Sequence, residues 1–206
     1  MKENKSYRPQ EDIALFMQQF EQEVKQSPEL PGPEIRLLRA RLVFEEALEF
    51  VKGCGCTVNL ATSHSSSQSK TPDEAGKAAL IDDLVIDLDP HSAADLVEYV
   101  DGCIDQLVVT YGALNAAGVN AQPAWDEVQR SNMSKAWPHC SVCDAILERG
   151  QETEPAHPGD AAAHQGHWNP VLKVHKRPDG KVIKSPLYSP ADLKRVIEEQ
   201  AGRAGE

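Results

Sequence analysis

Apolar residues fall at helical spacing in several separate stretches of the chain. Between Gln10 and Lys25, the residues Ile13, Phe16, Met17 and Phe20 share one side of a helix. The run Ser27-Pro28-Glu29-Leu30-Pro31-Gly32-Pro33 then breaks the pattern. A second helix is expected from about Glu34 to Lys52, with Ile35, Leu38, Leu42 and Leu48 on its apolar side. The third and longest is expected from about Ala93 to Ala117, with Ser92 as its N-cap and Gly118 as its stop. A fourth, shorter helix near Pro123 to Met133 offers Trp125 and Val128 for packing.

Between and after these stretches the pattern weakens. Gly53 to Lys70 mixes Gly, Cys, Ser and Thr without periodicity and reads as a flexible loop or insertion. Ala75 to Leu80 fits a short helical turn, and the alternating Ile81 to Asp89 fits a strand or an extended edge. Gly150 to Asn169 is rich in Glu, Pro, Ala, His and Gly, a composition that resists packing. Val171 to Val174 is expected to pair with Gly180 to Ile183 across the Pro178-Asp179-Gly180 turn. Pro190 to Glu199 reads as a final short helix with Ser189 as its cap. The expected fold is all-α, an antiparallel helix bundle with a small C-terminal β-hairpin and flexible insertions. Residues 1–138 form the main domain, with an insertion at about 53–89, and 139–206 an extension that completes the fold or an oligomer.

Charge placement changes the picture. Glu45, Glu46 and Glu49 share a face of the second helix, because residues three or four apart are neighbours there. Glu98, Asp101 and Asp105 form a matching stripe on the third helix, which carries no basic residue and is apolar around most of its circumference. That helix is therefore expected to be buried, and buried carboxylates need partners or a metal. Two such stripes on antiparallel helices would share divalent cations, with Mg²⁺ or Mn²⁺ suiting hard oxygen donors better than Zn²⁺. The ions would bridge phosphate oxygens and activate a water, and a spare carboxylate would take its proton. The alternative is a pair of ordinary solvated helix faces.

Bulk composition narrows the function classes. The net charge of −11 over 206 residues argues against a nucleic-acid partner, which requires a basic face. No apolar run is long enough to span a membrane, and the first ten residues lack a signal-peptide core. Five cysteines, an odd number, fit reduced thiols in a cytoplasmic compartment. A triphosphate brings negative charge that metals and nearby Lys or Arg must cancel, which draws attention to Lys135. Phe20 is a candidate to stack on a base, although aromatics at helical spacing more often belong to a core.

Taken together, Glu45-Glu46-Ala47-Leu48-Glu49 and Glu98-Tyr99-Val100-Asp101 resemble the EExxE and ExxD signature of the MazG/HisE-type all-α nucleoside triphosphate pyrophosphohydrolase superfamily. Tyr111-Gly112-Ala113, the run Trp125 to Lys135, and the tail Asp179 to Lys184 with Tyr188 and Pro190 are similar to its small phage and bacterial branch. That branch includes dUTP-hydrolysing enzymes and the phage MazZ proteins, which convert dGTP to dGMP toward 2-aminoadenine in phage DNA. The resemblance covers most of residues 10–135 and 170–198.

It implies metal ligands at Glu45, Glu49, Glu98 and Asp101, a base at Glu46, and two or three Mg²⁺ or Mn²⁺ ions, with Asp105 behind them. It implies contacts to phosphate or sugar from Asn132 and Lys135, and from the tail residues Lys173, Lys184 and Tyr188. It also implies a homodimer or homotetramer, in the host cytoplasm if phage-encoded. The expected substrate is a (d)NTP, dGTP or GTP first, with dUTP or a damaged nucleotide as the alternative. The stretches at about 53–89 and 139–167 depart from the compact pattern of the superfamily.

A third feature stands apart. His139-Cys140-Ser141-Val142-Cys143 has the spacing of a zinc half-site, which His157, His164 or His167 would complete. A zinc-stapled interaction protein, or a bundle that binds nucleotide or metal without turnover, are the competing classes.

Overall fold

Prolines open the first two helices, where the ring's fixed φ suits the first turn and the missing N–H is not needed. Helix α1 is Pro9–Gln19 and α2 is Pro33–Gly53. The computed structural model of the protein describes residues 7–60, 84–140, 144, 146, 171–178 and 180–203. Across them the chain is mostly helical, with five helices and two small two-stranded antiparallel sheets. It divides into two units, Met1–Val119 and Asn120–Glu206.

In the first unit α1 is shorter than its apolar pattern suggests. Glu21 turns left-handed at φ 56°, and the Gln22 amide bonds back to the Met17 carbonyl at 2.8 Å, which closes the helix before Lys25. Strand β1, Cys56–Leu60, pairs antiparallel with β2, Leu84–Leu88, in the register Cys56↔Leu88 to Leu60↔Leu84. This corrects the reading of 53–70 as a loop throughout. A strand of five residues is too short to show a period, and its partner lies beyond the intervening stretch. The rest of that stretch, with the helical turn expected at 75–80, lies outside the described residues.

Helix α3, Leu96–Ala116, starts three residues later than expected, because Asp95 and not Ser92 caps it. The Asp95 carboxylate accepts from the amides of Val97 and Glu98 at 2.7 and 3.2 Å. Gly118 ends the helix at φ 65°, as the sequence suggests. The core of the unit is Met17 with Val109 and Ala116. Gln10 ties α1 to α3 by donating to the Asn115 side chain at 3.0 Å and accepting on its carbonyl from the Asn115 amide at 3.1 Å.

The expectation that α3 is buried does not hold within one chain. Its buried stripe is Gly102, Val109, Gly112, Asn115 and Ala116. Val97 is 75% exposed, and Val100, Ile104 and Leu107 also face outward. The small residues let α2 approach one side while the rest of the apolar surface stays open.

In the second unit α4 is Ala121–Met133, capped by Asn120, and α5 is Leu193–Arg203. The last helix starts later than the sequence suggests, and the Asp192 carboxylate rather than Ser189 caps it, accepting from the Arg195 amide at 3.0 Å. The expected pairing of 171–174 with 180–183 is replaced. Strand β4, Val171–Lys173, pairs with β3, Trp137–His139, in the register Trp137↔Lys173 to His139↔Val171. The turn after β4 does form, one step later. Gly180 N–H bonds to the Arg177 carbonyl at 2.9 Å, Lys176 bridges Val182, and Ile183 N–H bonds to the His175 carbonyl at 2.8 Å.

Candidate active site

Close contacts at three glycines set how α2 and α3 meet. A methyl group at Gly102 would stand 2.8 Å from the Cα of Phe50, one at Gly53 would stand 2.8 Å from the carbonyl carbon of Glu98, and one at Gly112 would stand 2.9 Å from the Arg39 guanidinium. Positions that rise along α2 fall along α3, so the helices run antiparallel. At Gly102 the two backbones touch, which only a residue without a side chain permits. In this register Glu46 stands level with Asp105, and Glu49 stands level with the turn that carries Asp101.

The electrostatics agree with that register. The Glu46 carboxyl is pushed above its usual range, first by burial and then by the charges of Asp105, Glu49, Glu45 and Asp101. Four of the other five predicted acids therefore act on Glu46. Glu98 is not among the charges that reach Glu46, and it lies at the end of α2, its backbone against Gly53. Glu45, Glu49, Glu98 and Asp101 are exposed, while Glu46 and Asp105 are half-buried. Among the described residues no ion pair neutralises any of the six.

This donor set is hard oxygen with uncompensated negative charge, which suits a divalent cation such as Mg²⁺. Among the described residues no three His, Cys, Asp or Glu side chains already stand close enough to hold an ion, so the carboxylates would have to draw in around it.

A second group of sequence-predicted residues comes together within the second unit. Lys135 donates to the Asn132 side-chain oxygen at 2.7 Å. The Lys184 ammonium sits 4.1 Å from the centre of the Tyr188 ring. The Tyr188 hydroxyl is pulled below its usual range, first by its hydrogen bond with Ser131 and, against burial, by the Lys184 and Lys135 charges. Asn132, Lys135, Lys184 and Tyr188 thus form one cationic cluster. Serines fasten the tail to the end of α4: Ser185 Oγ donates to the Ser134 carbonyl at 2.8 Å, and Ser189 N–H donates to Ser134 Oγ at 3.0 Å. Ser131 is the member that sequence reasoning missed. Its position on α4, one residue before Asn132 and four before Lys135 in sequence, was the available signal.

Two other predicted contacts stand elsewhere. Lys173 on β4 binds the Asp144 carboxylate, with a 2.6 Å contact to Oδ2. Phe20, just past α1, is 61% exposed and packs on Phe16 with ring centroids 4.6 Å apart. Cys143, His157, His164 and His167 lie outside the described residues.

Glu127 on α4 shows what a compensated acid looks like. It is buried, bound by the Arg130 guanidinium at 2.7 and 2.9 Å, and accepts from the Asp192 amide at 2.8 Å. These bonds hold its carboxyl down to about 2, against the effect of burial.

The model of the phosphoribosyl-ATP pyrophosphohydrolase family matches residues 13–132, a span that contains both acidic helices and α4 as far as Asn132. The chain belongs to the phosphoribosyl-ATP pyrophosphohydrolase family. No curated protein matches it. Members of this family are pyrophosphohydrolases acting on nucleoside triphosphates, and the chain is an enzyme of that kind. Family enzymes generally need Mg²⁺, consistent with the chemistry of the α2–α3 carboxylates. No helix among the described residues is long and apolar enough to cross a membrane.

Proposed function

We propose that the chain hydrolyses a nucleoside triphosphate, dGTP or GTP before others, to the monophosphate and pyrophosphate. The observation that carries this reading is the convergence of Asp105, Glu49, Glu45 and Asp101 on Glu46 with no compensating cation among the described residues. Glu45, Glu49, Glu98 and Asp101 are assigned to hold two or three Mg²⁺ or Mn²⁺ ions. Such ions, when bound, neutralise phosphate oxygens and acidify a water. Glu46, set among these carboxylates, is assigned as the base that would accept the proton of the attacking water. Asp105 stands behind it and holds its charge environment.

Asn132, Lys135, Lys184 and Tyr188 supply positive charge and hydrogen bonds for phosphate or sugar. The open apolar residues Leu38, Phe44 and Leu48 of α2, with Val100, Ile104 and Leu107 of α3, support a second copy of the chain covering these helices as a homodimer or homotetramer. The guanine preference rests on the likeness of the tail and of the Trp125–Lys135 run to the small phage branch. A supply of dGMP toward 2-aminoadenine nucleotides would follow from it, and dUTP or a damaged nucleotide is the competing substrate.

The test is a panel of canonical NTPs and dNTPs, with phosphoribosyl-ATP added, under Mg²⁺ and under Mn²⁺ and with products resolved by charge. Monophosphate and pyrophosphate from guanine nucleotides in preference to the rest is the expected result. Release of inorganic phosphate alone, or turnover of phosphoribosyl-ATP only, would overturn it.

A further inference from the structure

Arg39 on α2 carries a charge that the first unit leaves unanswered. No acidic side chain pairs with it among the described residues. Burial alone pulls its pKa down, with no neighbouring acid to raise it. The guanidinium reaches across to α3 and α1. Nη1 lies over Gly112, 2.9 Å from where a Cβ would stand, while Nη2 donates to Gln22 Oε1 at 3.0 Å and lies 3.8 Å from Met17 Sδ. Nε is buried and has no acceptor. A buried donor without an acceptor is costly, more so on a charged group.

Its place along the helices ties it to the acids. Arg39 stands seven residues before Glu46 on α2, which is two turns away on the same face. Gly112 stands seven residues after Asp105 on α3. The helices are antiparallel, so the carboxylates and the guanidinium lie along one seam, at levels separated by about 10 Å of helix rise. That is farther than the phosphates next to the one attacked extend. It suits the nucleobase, which the ribose holds away from the phosphates. Phe20, exposed, stands in the turn that leads to Gln22.

Hydrogen-bonding chemistry then names the base. A guanidinium only donates, so Gln22 must turn its oxygen toward Arg39, and its NH₂ is the group left for a ligand. The free groups of the pair are therefore all donors. Guanine offers two adjacent acceptors, O6 and N7, on one edge, and an arginine fork meets them with two parallel bonds. Adenine carries an amino donor in place of O6 and would oppose the pair. We propose that Arg39, steadied by Gln22, is the residue that selects guanine, its guanidinium donating to O6 and N7 of the base. This assignment rests on the guanine reading given above and adds the residue that would enforce it.

The test uses the full chain with Mg²⁺ and compares dGTP with dATP, with 7-deaza-dGTP, which lacks N7, and with the 2-aminopurine deoxynucleoside triphosphate, which lacks O6. Wild type should favour dGTP over each by about 10–100-fold in kcat/KM. Arg39→Met should shrink that preference to within about threefold, through KM more than kcat. Arg39→Lys keeps the charge but loses the fork, and should do the same. Gly112→Ala, whose Cβ would press on Nη1, should reduce the preference by a smaller factor. Should Arg39→Met not fold, Arg39→Lys and the wild-type analogue series decide. Equal fractional losses on every substrate in the Arg39 variants, as a phosphate contact or an ion pair with a second copy of the chain would give, overturn the proposal. Wild type that accepts both analogues as readily as dGTP overturns it too. A wild-type preference for another base removes the guanine reading itself, whereas a guanine preference that survives in the Arg39 variants removes only this assignment.

Discussion

The α2–α3 face and the α4–α5 pair handle negative charge in opposite ways. Glu127 is buried and fully answered by Arg130, Arg195 and a backbone amide, and its carboxyl is held down to about 2. Glu46 is half-buried, faces four other carboxylates, and is pushed the other way. A buried charge with its own partners is an anchor of the fold. A crowd of charges without partners opposes folding, and a bound divalent cation would offset that cost. The contrast supports the proposal that α2 and α3 form the working face, independently of their motifs.

The largest expected effect follows from removing ligands at that face. Glu49→Gln or Asp101→Asn should lower kcat/KM by about 10²–10⁴-fold while circular dichroism stays helical. The same substitution at the anchor, Glu127→Gln, should leave kcat nearly unchanged in protein that remains folded. Equal losses at the two places would erase the distinction.

Next come the cations. Lys135→Ala and Lys184→Ala each remove a charge-assisted contact worth about 1.5–3 kcal/mol, so kcat/KM should fall about 10–100-fold. Lys173→Ala, whose ammonium is occupied by Asp144, should change it far less. Steady-state kinetics on the preferred triphosphate checks all three.

A packing change tests the register. Gly102→Val would place its side chain into the Phe50 backbone, 2.8 Å from the new Cβ. Overpacking of this kind costs about 1–3 kcal/mol in denaturant unfolding, and by forcing the helices apart it should also weaken Mg²⁺ binding.

The smallest effects have opposite signs. In metal-free protein Glu46→Gln should raise Tm, because a like charge is removed, whereas Glu127→Gln should lower it. The pH dependence follows for Glu127. Its folded pKa lies below the unfolded value, so its contribution is complete above about 4.5 and is lost as pH falls toward 2. Thermal melts of wild type and Glu127→Gln should therefore converge in acid.

The acidic face was legible in the sequence because helical spacing is short-range. Residues three and four apart share a face whatever surrounds them, so Glu45, Glu46, Glu49, Glu98, Asp101 and Asp105 were readable before the fold. The clustering of Asn132 and Lys135 with Lys184 and Tyr188 required the tail to return to α4, and only the family resemblance pointed to it. What stayed hidden depends on distant partners. The Pro178-Asp179-Gly180 turn was visible, but Val171–Lys173 finds its strand at Trp137–His139, more than 30 residues back. Cys56–Leu60 likewise finds Leu84–Leu88 across an insertion. The open side of α3 contradicted the sequence expectation for a physical reason. Apolar pattern reports what a helix can bury, and a single chain covers only the stripe around Gly102 and Gly112.

The central claim, that both acidic helices serve one pool of ions, is tested most directly by a double-mutant cycle on Mn²⁺ affinity with Glu49→Gln and Asp101→Asn, one change on each helix. Calorimetric titration of the four proteins should show strong coupling, the second substitution costing much less affinity than the first. Independent, additive losses would mean that the two carboxylates hold separate ions, or none in common, and the shared centre would have to be given up.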